Sequence, residues 1–361
     1  MQMPQSAEAP GRIAVDAMGG DHAPERPVEG AVLAVRELGI PVTLVGREAE
    51  VRRELAAHDA AHLDIEVVNA DDVIEMNDVV VTALRKKKNS SLRVAAKLVR
   101  DGHAAAMVSA GNTGAVMAVA KIVIGTLTGI NRPALTTTVP NVRSKTVWLD
   151  VGANVEVKPE GFREFAIMGR IYACDILGIE NPRIGLLSVG AEEGKGTDLT
   201  RETHKLLKSD VPNFIGNVEG RDLFNGNCDV VVCDGFTGNV SLKALESVVE
   251  TLQLFLRQEM ERSWRTKLGF LLARPAFRSF KKRVDYAEFG GAPLLGLRGC
   301  TLICHGGSSP LALRNAVRAA QEYVRKGVSR RIEQRMGELV AARTELRAIE
   351  AQIGRAAGSV P

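Results

Sequence analysis

The feature that most constrains the fold is a series of short, unbroken apolar runs, each closed by a polar, glycine-rich turn. The clearest runs are 12–16, 42–46, 105–109, 146–151, 184–189, 229–233 and 301–304. A strand with one wet face alternates apolar and polar residues. A continuous apolar run therefore indicates a strand covered on both faces, as in a parallel sheet between helices. Helical patterns follow several of the runs, so the expected fold class is α/β, a three-layer α/β/α arrangement with a mostly parallel sheet. Aromatic residues are only 4% of the chain, so the core must be built from Val, Leu, Ile and Ala.

Ligands of such sheets gather beyond the carboxyl ends of the strands. The six loops there read DAMGGDHAP, SAGNTGA, DVGANVE, VGAEEGKGTD, CDGFTGN and CHGGSS. One such loop is ordinary punctuation. Six, all expected to project toward one edge, predict a single polar site. In SAGNTGA, Gly111 and Gly114 allow close backbone approach, while Asn112 and Thr113 open a helix. Free N–H groups and the positive end of the helix dipole favour an anion there, and simple N-capping is the alternative. CDGFTGN repeats the plan with Asp234, Gly238 and Asn239, the last able to donate to a developing oxyanion or merely to cap. The first loop offers Asp16, Gly19, Gly20 and Asp21, with His22 as a turn residue.

The stretch SVGAEEGKGTD comes close to a nucleotide-binding P-loop and fails. Only three residues separate Gly190 from Gly194, and Gly196 stands where a magnesium-binding hydroxyl belongs. Glu192 and Glu193 would repel a triphosphate, so Lys195 needs another role. No Gly-x-Gly-x-x-Gly follows any strand, against a dinucleotide fold. No run is long and uncharged enough to span a membrane. The opening MQMPQSAEAP lacks the basic start and apolar stretch of a signal peptide and is expected to be a disordered lead, residues 1–11. The five cysteines suggest neither a disulfide framework nor a zinc site, and fit a reducing cytoplasm.

The segments RIAVDAMGGDHAP, SAGNTGA, RPAL, LDVGAN, IGNVEGRDL, DVVVCDGFTGNV and GGAPLLGL resemble the PlsX family, the acyl-acyl-carrier-protein:phosphate acyltransferases. They occur in order from about Arg12 to about Val328. The resemblance implies a phosphotransacetylase-like fold, a homodimer, and transfer of a long-chain acyl group from acyl carrier protein to inorganic phosphate. It implies no cofactor, metal or nucleic acid, and an acyl phosphate that a membrane glycerol-3-phosphate acyltransferase consumes. On this reading Lys195 and Asn239 are the catalytic candidates that stabilise the oxyanion. The phosphate- and substrate-binding candidates are Asp16, Gly19, Gly20, Asp21, Gly111, Asn112, Thr113, Gly114, Asn154, Asp234, Gly238 and His305.

Net charge is a mild +4, but Arg85 to Lys88 form one basic run, and Arg262 to Arg283 hold eight basic residues and no acidic one. In the latter, Trp264, Leu268, Leu271 and Leu272 fall at helical spacing, Pro275 interrupts, and Phe277 and Phe280 resume the stripe. A helix–break–helix arm at about 257–287 is expected, suited to an anionic membrane surface or to a dimer contact. Either this arm or Arg85–Lys88 would dock the acidic carrier protein. The catalytic domain is expected over 12–328. In 329–361 a seven-residue recurrence from Ile332 fits a short coiled coil or an amphipathic helix lying on the body. The functional alternatives are a coenzyme-A-dependent phosphate acetyl- or butyryltransferase and a non-catalytic membrane scaffold.

Overall fold

The computed structural model describes residues 11–284, 290–339 and 341. The expected lead at 1–10, the end of the arm at 285–289, and most of the C-terminal extension lie outside them. Eleven strands form one sheet: β1 (Ile13–Asp16), β2 (Val42–Gly46), β3 (Ile65–Asn69), β4 (Ala106–Ser109), β5 (Ala134–Pro140), β6 (Lys145–Leu149), β7 (Ile184–Leu187), β8 (Phe214–Val218), β9 (Val230–Val232), β10 (Ala292–Leu295) and β11 (Cys300–Ile303). Among them run α1 (Glu25–Leu38), α2 (Glu48–Ala56), α3 (Val80–Lys86), α4 (Ser91–Arg100), α5 (Thr113–Val119), α6 (Pro159–Leu177), α7 (Asp198–Asp210), α8 (Gly235–Glu261), α9 (Trp264–Val284) and α10 (Pro310–Arg325).

The strand order is β3-β2-β1-β4-β11-β10-β5-β6-β9-β7-β8. The first five are parallel to one another. β10 is antiparallel to both its neighbours, and β5 is antiparallel to β6. The set β6, β9, β7 and β8 is again parallel within itself, but runs opposite to the first five. This corrects the expectation that all six loops leave one edge. The hairpin β5–β6 reverses the chain direction, so three loops (after β1, β4 and β11) leave one end of the strands and three (after β6, β9 and β7) leave the other.

Each face of the sheet carries its own apolar layer, as expected for three layers. On one face α1, α6, α7 and α10 cover the sheet, with Phe165 and Leu207 fully buried. On the other, α4 and α5 bring Leu92, Ala95, Val116 and Val119 down onto Met107 and Trp148. Helix α4 shows the local logic: Ser90 caps it by accepting from Arg93 N–H, and its apolar residues fall on one face. Residues 328–339 form a helix whose Val328, Ile332 and Met336, spaced four apart, are buried in the first layer. That part of the extension lies on the body.

The arm also differs from expectation. α9 continues through Pro275 as one helix. A proline removes one helical hydrogen bond, and here the Phe270 and Phe277 rings, with centroids 5.1 Å apart, brace the helix across it.

Candidate active site

The three loops after β1, β4 and β11, which are neighbouring strands, lock together. Asp16, buried at the end of β1, accepts the Ser109 hydroxyl proton at 2.7 Å, and Ser109 Oγ in turn accepts Gly111 N–H at 3.1 Å. Burial pushes the Asp16 carboxyl above its ordinary value, against hydrogen bonds from Ser91, Ser109 and the backbone of Met18 and Gly19. Gly19 is required here, because a Cβ on it would stand 2.6 Å from Asp16 Oδ2 and 2.8 Å from the Gly111 nitrogen. Asp21 N–H donates to Gly306 O at 2.9 Å, fastening the first loop to the β11 loop. Asn112 caps α5, its Oδ1 accepting Ala115 N–H at 3.0 Å, and its amide donates to Met76 O at 2.8 Å. The capping alternative holds for Asn112, whose side chain is thereby committed. Thr113 and Gly114 occupy the first turn, where N–H groups have no intrahelical acceptor.

The opposite set repeats this plan. Asp150 follows β6 as Asp16 ends β1. Its carboxylate accepts N–H groups of Leu135 (3.0 Å), Gly152 (3.2 Å), Ala153 (3.0 Å) and Asn154 (2.7 Å). Burial raises its pKa against those donors. Asn154 is itself buried, with its amide donating to Pro133 O at 2.8 Å and Asp150 Oδ2 at 2.9 Å. It therefore shapes the loop. Asp234 caps α8 through Thr237 N–H at 2.8 Å, which leaves Asn239 uncommitted in the second turn. α8 reaches this position only because residues 235 and 238 are glycines. A Cβ at Gly235 would lie 2.7 Å from Asn154 N, and one at Gly238 would lie 2.0 Å from Asp150 O.

The two sets meet across a groove of about 390 Å³ that runs over β5 and the start of β10. Thr113 and His305 line it from the first set, Asn239 and Val151 from the second. The remainder is largely apolar, including Leu135, Val139, Leu242, Leu245, Val249 and Ile303. Gly307 N–H donates to His305 Nδ1 at 3.1 Å, so a neutral ring carries its proton on Nε2. Gly20 and Gly114 stand behind this surface, packed on Gly306 and Val80.

Lys195 sits on the exposed loop after β7, outside the groove lining. β7 neighbours β9 in the sheet and is parallel to it, so the Lys195 loop leaves the same end of the strands as the loop that opens α8. Its side chain has no hydrogen-bond or ion-pair partner among the described residues. Neither neighbouring glutamate pairs with it, and Glu193 instead accepts from Lys208 at 3.2 Å. Sequence reasoning passed over Ser109, Asp150 and Gly235. The signal for Asp150 was present, an Asp at a strand end before a glycine turn, as at Asp16. Cys300 and Cys304 are buried free thiols, and burial pushes Cys304 up to about 12, so neither offers a ready thiolate.

The fold of this α/β sheet is that of the phosphotransacetylases. The chain superposes on that of Streptococcus pyogenes with a TM-score of 0.60, covering 88% of this chain and 94% of that one at 18% identity. It superposes on a branched-chain phosphotransacylase from Enterococcus faecalis with a TM-score of 0.55 at 15% identity, over 87% and 98% of the two chains. Sequence narrows the class. Residues 11–331 match the family described as "Fatty acid synthesis protein". The chain is 54% identical over 325 residues to the phosphate acyltransferase of Geobacter sulfurreducens, covering 90% of this chain and 94% of that protein. It is 53% identical over 327 residues to that of Citrifermentans bemidjiense, covering 91% and 93%. The chain belongs to this family of phosphate acyltransferases; it is an acyltransferase.

Proposed function

We propose that the protein transfers a long-chain acyl group from the thioester of acyl carrier protein to inorganic phosphate. The observation that carries this reading is the groove itself. It is lined mainly by apolar side chains, as an acyl chain needs; Thr113, Asn239 and His305 are the polar groups that the two loop sets bring to it, and Lys243, Glu246, Glu250 and Gln253 of α8 add a charged side. Phosphate is held at the first turn of α5 by the N–H groups of Thr113 and Gly114, in a loop that Asp16 and Ser109 keep rigid. A phosphate oxygen attacks the thioester carbonyl carbon. The new C–O bond forms, negative charge passes to the carbonyl oxygen, and the Asn239 amide donates to it. The C–S bond then breaks, and the phosphate hydroxyl proton ends on the sulfur. A thiol pKa of about 8.5 makes the thiolate a fair leaving group without a strong acid. Lys195, on the loop after β7, supplies a mobile positive charge for the entering dianion.

The product is an acyl phosphate, a substrate for a membrane glycerol-3-phosphate acyltransferase. The exposed apolar side chains of α9 (Trp264, Leu268, Leu271, Leu272 and Phe280) support peripheral contact with an anionic membrane from the cytoplasm, and those of α8 (Val248, Leu252, Phe255 and Leu256) support a homodimer. Phe277 is part-buried against Phe270 and braces the α9 face. Among the described residues no helix is long and apolar enough to cross a membrane.

The test is palmitoyl-acyl carrier protein with radiolabelled phosphate, trapping acyl phosphate as the hydroxamate, beside palmitoyl-CoA and acetyl-CoA. Phosphate-dependent hydroxamate from the carrier thioester is expected. Product from acetyl-CoA alone would overturn the reading in favour of a short-chain coenzyme A enzyme.

A further inference from the structure

The layer formed by α3, α4 and α5 carries charges and apolar side chains that neither the fold nor the proposed chemistry uses. The side chains of Arg85, Lys86 and Lys88 are exposed at the end of α3, and that of Lys121 is exposed in the π-helical turn (Ala120–Ile124) that continues α5. None of these four cations has an ion-pair or hydrogen-bond partner among the described residues. The fifth, Lys87, is paired to Asp78. Beside them Val79, Val81 and Ile122 are 70%, 59% and 64% exposed, high values for large aliphatic side chains.

The position of this patch gives it meaning. α3 packs against α5, α4 packs against the π-helical turn, and Arg93 of α4 donates to Leu84 O at 3.0 Å. The segment leading into α3 packs against the two loops that carry Thr113 and His305 to the groove. Met76 O accepts from Asn112, a Cβ on Gly306 would meet Met76 Cε at 2.9 Å, and one on Gly114 would meet Val80 Cγ2 at 3.3 Å. The patch therefore borders the groove at the end where Thr113 and His305 line it.

We propose that this surface docks the donor protein: a small acidic partner that presents an apolar spot among its carboxylates and delivers its thioester arm over the α5 N-terminus. The assignment rests on the carrier-protein reading above and adds the place of contact. Unpaired cations give attraction and steering, and exposed aliphatic side chains give a dry centre. A lipid surface fits the patch less well, because it lacks the aromatic side chains that α9 presents.

The experiment compares the wild-type enzyme with Lys86→Glu/Lys88→Glu and Lys121→Glu, and with Val81→Ser. Each is assayed with palmitoyl-acyl carrier protein and with palmitoyl-CoA, with thermal melts as a check on folding. The expected result is a rise of about tenfold or more in KM for the carrier thioester, steepest at low salt, with kinetics on the coenzyme A thioester unchanged. Equal losses on both donors would overturn the proposal, making the patch a support of the site. Unchanged kinetics on both would place docking elsewhere while leaving the carrier-protein reading intact. Loss of binding to anionic vesicles with carrier kinetics intact would make it a lipid surface. A wild-type enzyme inactive on the carrier thioester would remove the reading beneath it.

Discussion

Gly238→Ala isolates what the close approach of α8 contributes. The added Cβ would stand 2.0 Å from the carbonyl oxygen of Asp150, a backbone atom at the end of buried β6 that cannot swing aside. An ordinary contact begins near 3.4 Å, so the first turn of α8 must retreat by about 1.4 Å. Asn239 is the next residue and moves with it. Misplacing a catalytic group by about 1 Å can cost on the order of 100-fold in rate, equivalent to about 2.7 kcal/mol. The overpacking itself costs about 1–3 kcal/mol of stability. The variant should therefore fold with a modestly lowered Tm and lose about 100-fold in kcat, read by hydroxamate formation at saturating phosphate and acyl donor. Gly220→Ala is the control, because its Cβ would meet nothing within 4 Å. Wild-type kcat in Gly238→Ala would refute the reasoning. So would an equal loss in the control.

Asn239→Ala should lower kcat by about 10²–10³ with Tm unchanged, as expected for loss of one oxyanion donor, whereas Lys195→Ala should chiefly raise the KM for phosphate; phosphate titrations separate the two. Asp16→Asn carries a pH signature. Because burial raises the folded carboxyl above its ordinary value, its contribution to stability is fully present below the unfolded pKa of 3.8 and is lost as pH rises through the higher folded value. The destabilisation of Asp16→Asn relative to wild type should thus be greatest in acid and shrink toward neutrality, measured by urea midpoints from pH 4.5 to 7.5; a gap that widens with pH would contradict it. Leu271→Glu/Leu272→Glu, both on the exposed face of α9, should leave Tm and activity on the soluble carrier thioester nearly unchanged while abolishing flotation with anionic vesicles.

The seven strands legible in the sequence are those buried on both faces, where continuous Val, Leu and Ile leave no ambiguity. β3 and β8 escaped because they are the two edges of the sheet and only partly buried. β5 and β10 escaped for another reason. Their runs carry Thr136–Thr138, Pro140 and Pro293, which weaken the apolar signal, and they are the strands through which the sheet reverses. Missing them hid the reversal, because loop composition says nothing of strand direction. The loops themselves were legible, but not the division of labour within them. Asn112 and Asp234 each sit three residues before the N–H they cap, and no sequence rule separates such a cap from a ligand. Asn239, one turn further on and inside the helix, lines the groove with no hydrogen-bond partner among the described residues.

The seam between the two loop sets has a mechanical consequence. β10 is registered to β11 through only Ala292↔Ile303 and Pro293↔Leu302, and to β5 through only Leu294↔Leu135 and Leu295↔Ala134. By contrast, β5 and β6 share five registered pairs. The groove floor is thus a slat fastened by two rungs on either side, between two stiff panels that each hold half of the chemistry. The distance between Thr113 and Asn239 is set by that slat. Both apolar layers run beneath this seam, Ala134 and Leu295 belonging to one and Leu135 and Leu294 to the other, so packing rather than strand pairing holds the two loop sets at their spacing.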